Sequence, residues 1–252
     1  MRNDVLYVDV HSHAHEYGVE GVRQFTEELG LIIVIVSDDY ETSVKTVNIA
    51  EKVEKVVPCV GVHPWTVDKL GPRRALEEAK KTIELALERG ITCLGEIGLD
   101  AKFVPDSIEA QREVFKLYLE AARSYGFRLN LHTAGTWREV FELLVRYDVG
   151  YANFHWYTGP LDLLDAIVEH GYTISINPAV KIQKKHREVV RRAPLESMLT
   201  ESDAPYKYKG LELSPRLVPM VVGEIAAIKG LEPSEVKGVL YNNFRKKWSL
   251  GL

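Results

Sequence analysis

The chain has 252 residues, 46% of them hydrophobic and 27% charged, with a formal charge of −4. This is the composition of an ordinary globular protein, and its mild acidity argues against a generic nucleic-acid binder, so any such contact must be local. No apolar run approaches the roughly 20 residues that a bilayer-spanning helix needs, so a cytoplasmic protein without membrane contact is expected.

Met1-Arg2-Asn3-Asp4 leads straight into a strand-like run, Leu6 to His13, and not into a signal-peptide core. In an extended strand alternate side chains share a face, which puts Asp9, His11 and His13 on one side. Val22, Phe25 and Leu29 recur at helical spacing and are closed by Gly30. Leu31 to Val36 is a continuous apolar run, the kind buried on both faces in a parallel sheet. Val56 to Val62 reads as strand, and Gly71-Pro72 opens a helix with proline at its first position. Leu76, Ala79, Ile83 and Leu87 form that helix's apolar stripe, with Gly90 as its left-handed stop. Ile91 to Ile97 is strand again. Asp106-Ser107-Ile108-Glu109 is a capping-box pattern for a helix with Ile108, Phe115, Tyr118 and Ala122 on one face, ended by Gly126.

The second half keeps this rhythm. Arg128 to Leu131, Tyr151 to Phe154, Tyr172 to Ile176 and Glu196 to Thr200 read as short strands. Helices are predicted over Trp137 to Tyr147, Leu161 to His170, Val180 to Arg192, Pro215 to Lys229 and Pro233 to Trp248. About eight strands alternating with about eight helices, without a linker, predict an α/β protein whose residues 1–252 form a single-domain (β/α)8 TIM barrel. An open doubly wound sheet is the alternative, but neither glycine-rich phosphate-binding pattern is present. Cys59 and Cys93 lie in apolar runs and read as small buried hydrophobes kept reduced. Only three glutamines occur (Gln24, Gln111, Gln183), which leans toward a thermophilic source.

Barrel chemistry sits at the C-terminal ends of the strands. The first strand delivers His11 and His13 there, the third His63, the fourth Glu96, the fifth His132, the sixth His155 and the eighth Asp203. Five of the eight histidines stand at such exits, and imidazoles converging with carboxylates are metal-ligand chemistry. His170 and His186 sit in polar helical surroundings and are expected to face solvent. His15 falls where the strand should already be loop. Ser12 points away from its flanking histidines and no nucleophile elbow occurs, so serine catalysis is not expected.

Taken in order, His11-Ser12-His13, Gly61-Val62-His63-Pro64, Gly95-Glu96-Ile97-Gly98-Leu99-Asp100, the two strand-terminal histidines and Glu201-Ser202-Asp203-Ala204-Pro205-Tyr206 resemble the TatD-type metal-dependent hydrolases. These belong to the amidohydrolase superfamily and are often described as TatD-related deoxyribonucleases. The resemblance runs from about Asp9 to Asn243. It implies that His11, His13 and Asp203 hold one metal, that His132 and His155 hold a second, and that Glu96 bridges them. Electrostatics favours such a bridge independently, since two adjacent divalent ions repel and a carboxylate offsets that repulsion. No lysine stands at the fourth or fifth exit to do so as a carbamate. The imidazole-rich set suits zinc best, with manganese or nickel next, while the family's association with magnesium leaves that ion open.

Metal-assisted hydrolysis follows, with Asp203 accepting the proton of the attacking water. His63 is expected to touch substrate or support the ligands rather than bind metal, and Asp9 to orient the histidines from below. Trp65, Trp137 and Trp156 follow strand exits and could ring the mouth. Tyr206-Lys207-Tyr208-Lys209 interleaves aromatics with positive charge, and Lys181 to Lys185 adds a second basic stretch, a composition suited to DNA or another phosphate-containing substrate. Two departures from the family bear on specificity. His132-Thr133-Ala134-Gly135 lacks the arginine common two residues after that histidine, and His155-Trp156-Tyr157-Thr158-Gly159 replaces the usual His-Cys-Phe-Ser-Gly. A nuclease or phosphoesterase acting as a monomer is the leading expectation. Hydrolysis of a carbon–nitrogen or ester bond is the alternative, and a non-catalytic metal or nucleic-acid binder is third.

Overall fold

The computed structural model describes residues 5–248. Met1-Arg2-Asn3-Asp4, on which the signal-peptide argument rests, and residues 249–252 of the expected domain lie outside the described residues. In chain order the elements begin with β1 (Tyr7–Ser12), α1 (Gly18–Leu29), β2 (Leu31–Val36), α2 (Tyr40–Ala50) and β3 (Val56–Cys59). Next come α3 (Pro64–Leu70), α4 (Pro72–Glu88), β4 (Cys93–Gly98), α5 (Ile108–Tyr125), β5 (Arg128–His132) and α6 (Trp137–Arg146). Then follow β6 (Ala152–Phe154), α7 (Leu161–Glu169), β7 (Thr173–Ile176), α8 (Lys184–Arg192) and β8 (Met198–Thr200). A short hairpin of β9 (Lys207–Tyr208) and β10 (Leu211–Glu212) precedes α9 (Val218–Lys229) and α10 (Pro233–Trp248). Among the described residues no helix is long and apolar enough to cross a membrane.

The chain packs into two compact units. One holds the residues up to Ile35, Lys52–Val57, and those from Trp156 on; the other holds Val36–Glu51 and Pro58–His155. In the first unit β1 pairs in parallel with β2, Tyr7 opposite Leu31 and Asp9 opposite Ile33, and β7 pairs in parallel with β8. The apolar run of β2 is buried along its whole length, as its composition requires. The register of β1 shifts between Asp9 and Ser12, an irregularity that re-aims the last side chains of the strand. Beyond it the exits of β1 and β8 are tied together: Asp203 N–H donates to His11 C=O at 2.9 Å and His13 N–H to Ala204 C=O at 2.8 Å. α9 and α10 pack on this pair, burying Val218, Val221, Ile225, Leu240, Phe244 and Trp248.

In the second unit β4, β5 and β6 form a parallel ladder, and Val60 bridges to Leu94 on its other side. The glycines around Glu96 serve this ladder. A Cβ on Gly98, whose φ is +140°, would stand 2.1 Å from the carbonyl oxygen of His132. A Cβ on Gly95 would meet Asn130 at 2.7 Å. The motif around Glu96 is therefore also a packing requirement: only glycine lets β4 approach β5 so closely. On the outside α4 packs against α5, where the buried Thr82 and Tyr118 hydroxyls hydrogen-bond at 2.7 Å.

Several details differ from the sequence expectations. α2 and α3 are additional helices. α2 has a capping box in which Asp39 accepts from Thr42 N–H and the Thr42 hydroxyl accepts from Asp39 N–H, but its mixed serine, threonine and asparagine content blurs the apolar stripe. The Asp106–Glu109 pattern forms no side-chain cap; the Ser107 hydroxyl donates to Val104 C=O and accepts from Gln111 instead. The helices expected to begin at Val180 and Pro215 open as 3-10 turns and become α-helical at Lys184 and Val218. His186, expected to face solvent, is fully buried on α8, because Val189 and Val190 place that face of the helix inward.

The cysteines also need correcting. Cys59 and Cys93 are buried as expected, but they are joined in a disulfide, with Cα atoms 4.6 Å apart. They are 34 residues apart in the chain, and only the lateral pairing of the β3 exit with β4, where Val60 N–H donates to Cys93 C=O, makes them neighbours.

Candidate metal centre

In the first unit the end of β1 and the turn after β8 bring His11, His13 and Asp203 together. Their ligand-capable atoms all lie within 4.8 Å of one another. The Nε2 atoms of His11 and His13 stand 3.7 and 3.8 Å from the same Asp203 oxygen. His11 is fully buried, and the two rings meet edge-on with centroids 5.5 Å apart. Asp203 adopts a left-handed backbone with φ of +53°, a conformation aspartate tolerates better than most residues, which turns its carboxylate toward the histidines. Asp9 works on the backbone of the same two exits. One of its oxygens accepts from Ser202 N–H at 2.8 Å and, more weakly, from His11 N–H at 3.4 Å. Burial pushes the Asp9 carboxyl up to about 7, against the opposing bonds from Ser202.

Glu201, two residues before Asp203, was not singled out from the sequence. It is fully buried, accepts from Trp156 N–H at 2.9 Å and from the Ser175 hydroxyl, and so anchors the start of the loop after β6. Burial raises its pKa, while the His11 charge and the Ser175 bond work the other way. Trp156 in turn donates its indole N–H to Gln183 and meets Tyr208 and Tyr206 edge-on at 5.0 and 6.2 Å. Tyr206 is exposed, and the exposed Lys207 pairs with Glu212 across the hairpin.

In the second unit three imidazoles surround one oxygen of Glu96. His132 Nδ1 lies 2.7 Å from Glu96 Oε1, His155 Nε2 3.3 Å and His63 Nε2 3.4 Å. On its far side His132 Nε2 lies 2.9 Å from Asp100 Oδ2. Asp100 is itself held by the Lys102 and Phe103 amides and by the Trp65 indole N–H at 2.6 Å. It is fully buried and ends the motif that contains Glu96, which was the signal available in the sequence.

Burial disfavours a charged His132, but its bonds to Asp100 and Glu96 outweigh that and push it up to about 9. The reverse balance holds Asp100 down at about 2. A cation is thus favoured between these two carboxylates. The donor set fits a metal: when the His132 Nε2–H donates to Asp100, Nδ1 is left as the ligand atom facing Glu96, the carboxylate–histidine–metal arrangement. His63 differs. Its Nδ1 accepts from Trp65 N–H at 3.0 Å, and burial lowers its pKa, so the neutral ring carries its proton on Nε2. That ring is a donor.

Buried histidines converging with carboxylates on an α/β scaffold define a metal-dependent hydrolase. Residues 8–249 match the model of the TatD-related DNase family, and the chain belongs to that family. It is 30% identical over 246 residues to MJ1582 of Methanocaldococcus jannaschii, named an uncharacterized metal-dependent hydrolase, covering 95% of this chain and 96% of that one. It is 28% identical to mouse TATDN3, whose deoxyribonuclease name is provisional, over 75% of this chain and 67% of the relative. Among solved structures the TatD homologue YjjV of Escherichia coli K12 matches with a TM-score of 0.84 at 23% identity, over 97% and 98% of the two chains. That likeness shows the fold: an α/β barrel of the TIM type, the class that the alternation of strands and helices predicts.

Proposed function

We propose that this hydrolase, acting as a cytoplasmic monomer, cleaves phosphodiester bonds of DNA at a dinuclear centre built by a single domain. The observation that carries the reading is the pair of ligand clusters, His11–His13–Asp203 and Glu96 with its imidazoles, in each of which the donor atoms are already gathered. His11, His13 and Asp203 would hold one ion, His132 and His155 a second, and Glu96 would bridge them, with zinc the best match to the donors and manganese or magnesium as alternatives. Two such ions would supply Lewis-acid polarisation of the phosphoryl oxygen and a lowered pKa for water. Asp203 then accepts the proton of the attacking water at its carboxylate. His63, a neutral Nε2–H donor, steadies a phosphate oxygen. Asp100 keeps the His132 ring in its ligating tautomer.

Tyr206, Lys207, Trp65 and Trp156 are the proposed substrate contacts, aromatics for bases and the ammonium for a phosphate. A second reading, hydrolysis of a carbon–nitrogen or ester bond on the same residues, is favoured by one observation: Thr133-Ala134-Gly135 follow His132 without the arginine expected to meet a phosphate. Metal-reconstituted protein incubated with single-stranded DNA and with an amide and ester panel separates the two. DNA cleavage that falls roughly 10²–10⁴-fold in Asp203→Asn, with metal content unchanged, is the expected result. Cleavage of the panel alone would sink the nuclease reading, and near-normal hydrolysis by the metal-loaded variant would remove Asp203 from the role of base.

A further inference from the structure

We infer that Trp65 and Phe103, assisted by Lys102, form a stacking subsite for the nucleobase attached to the phosphate under attack. The inference rests on the phosphodiesterase reading and adds to it a specific contact. Trp65 and Phe103 are 41% and 55% exposed, whereas aromatics of this size are ordinarily well buried. Both lie in the second unit beside the imidazoles: the Trp65 ring stands 5.4 Å from that of His63 and 6.5 Å from that of His132.

The Trp65 indole is not merely left over at the surface. Its N–H is fixed on Asp100 Oδ2 at 2.6 Å, the same oxygen that meets His132 Nε2. One buried carboxylate thus orients both a candidate metal ligand and an exposed ring face. Phe103 meets Trp65 edge-on, with centroids 5.9 Å apart at 75°, and its position is set by its amide, which also donates to Asp100. The Lys102 ammonium lies 4.6 Å from the Phe103 ring centre. The patch therefore combines two fixed aromatic rings and one exposed cation beside the His63 imidazole. Rings accept the flat face of a base, and the cation pairs with the negative charge of its phosphate. Because every base has such a face, the subsite discriminates a base from no base and is tolerant of which base is present.

The test uses metal-loaded full-length protein. Calorimetric titration compares a deoxynucleoside 5′-monophosphate with deoxyribose 5-phosphate, and kinetics compare a short single strand with the same strand made abasic at the scissile position. The wild type should bind the nucleotide about tenfold or more tightly than the sugar phosphate. Phe103→Ala and Trp65→Ala should erase most of that preference, while Trp65→Phe retains much of it. Phe103→Ala, which leaves the Trp65–Asp100 bond in place, should raise KM on the intact strand and leave KM on the abasic strand nearly unchanged. Phe103→Ala removes an exposed ring, so its effect cannot be ascribed to a failure to fold. Equal weakening of the two ligands, or no base preference in the wild type, overturns the subsite. If no DNA is cleaved while base-dependent affinity persists and is lost in the variants, the nuclease reading fails and the subsite stands.

Discussion

Asp100 shows how much a single side chain can organise without approaching the reacting atoms. It is buried, ionised, and shared by His132, the Trp65 indole and two backbone amides. Replacing it by asparagine keeps the volume but removes the charge that selects the Nε2–H tautomer of His132. Asp100→Asn should therefore bind metal about 10–100-fold more weakly, the usual cost of losing such a supporting carboxylate, as read by equilibrium titration with zinc. An unchanged affinity would show that His132 is oriented by other groups. At this scale the histidines were legible in the sequence because strand alternation and position at a strand exit are local properties. Asp100 and Glu201 were not, because their importance lies in partners that are distant in the chain: His132 for Asp100, and Trp156 and Ser175 for Glu201.

At the scale of elements, the strands and long helices lie where their periodicity places them, from the fully buried β2 to α10, whose observed bounds, Pro233–Trp248, are those predicted. But α4 turns Ala75, Ala79, Thr82, Leu85 and Ala86 inward and leaves Leu87 of the expected stripe exposed. The strands expected over Val56–Val62 and Glu196–Thr200 narrow to Val56–Cys59 and Met198–Thr200. What the pattern could not show is the lateral neighbour of each strand. The disulfide is the clearest case. Cys59 and Cys93 meet only because the β3 exit runs beside β4, and the bond ties the strand that bears Glu96 to its neighbour. Cross-linking a loop of this size commonly contributes about 2–4 kcal/mol. A Cys59→Ala/Cys93→Ala double variant should lose stability of that order in denaturant melts under oxidising conditions. In strong reductant the two proteins should differ far less. Identical oxidised midpoints would mean that the cross-link adds nothing.

For the whole molecule the decisive quantity is metal linkage. Ions that bind the folded chain and not the unfolded one stabilise it by mass action, by about 2.7 kcal/mol at a hundredfold excess over Kd. Chelation should therefore lower the Tm, and zinc or manganese should restore it in calorimetry. Elemental analysis should find two ions per chain. A single ion under saturating metal contradicts the bridging role of Glu96, and a Tm indifferent to chelator contradicts resident metal altogether.

The sequence by itself determined the fold class and the residue types at the strand exits, because hydrophobic periodicity and the place where a strand stops are written in neighbouring residues. It also carried the family motif, including the glycines that allow β4 and β5 to touch. Only the tertiary structure decided which side chains share a hydrogen bond. It paired the cysteines, buried His186, set His63 Nδ1 against the Trp65 amide, and placed Asp100 between a metal-ligand candidate and an exposed tryptophan. Those outcomes depend on distances between atoms that are remote in the chain, and chain order alone contains no such distance.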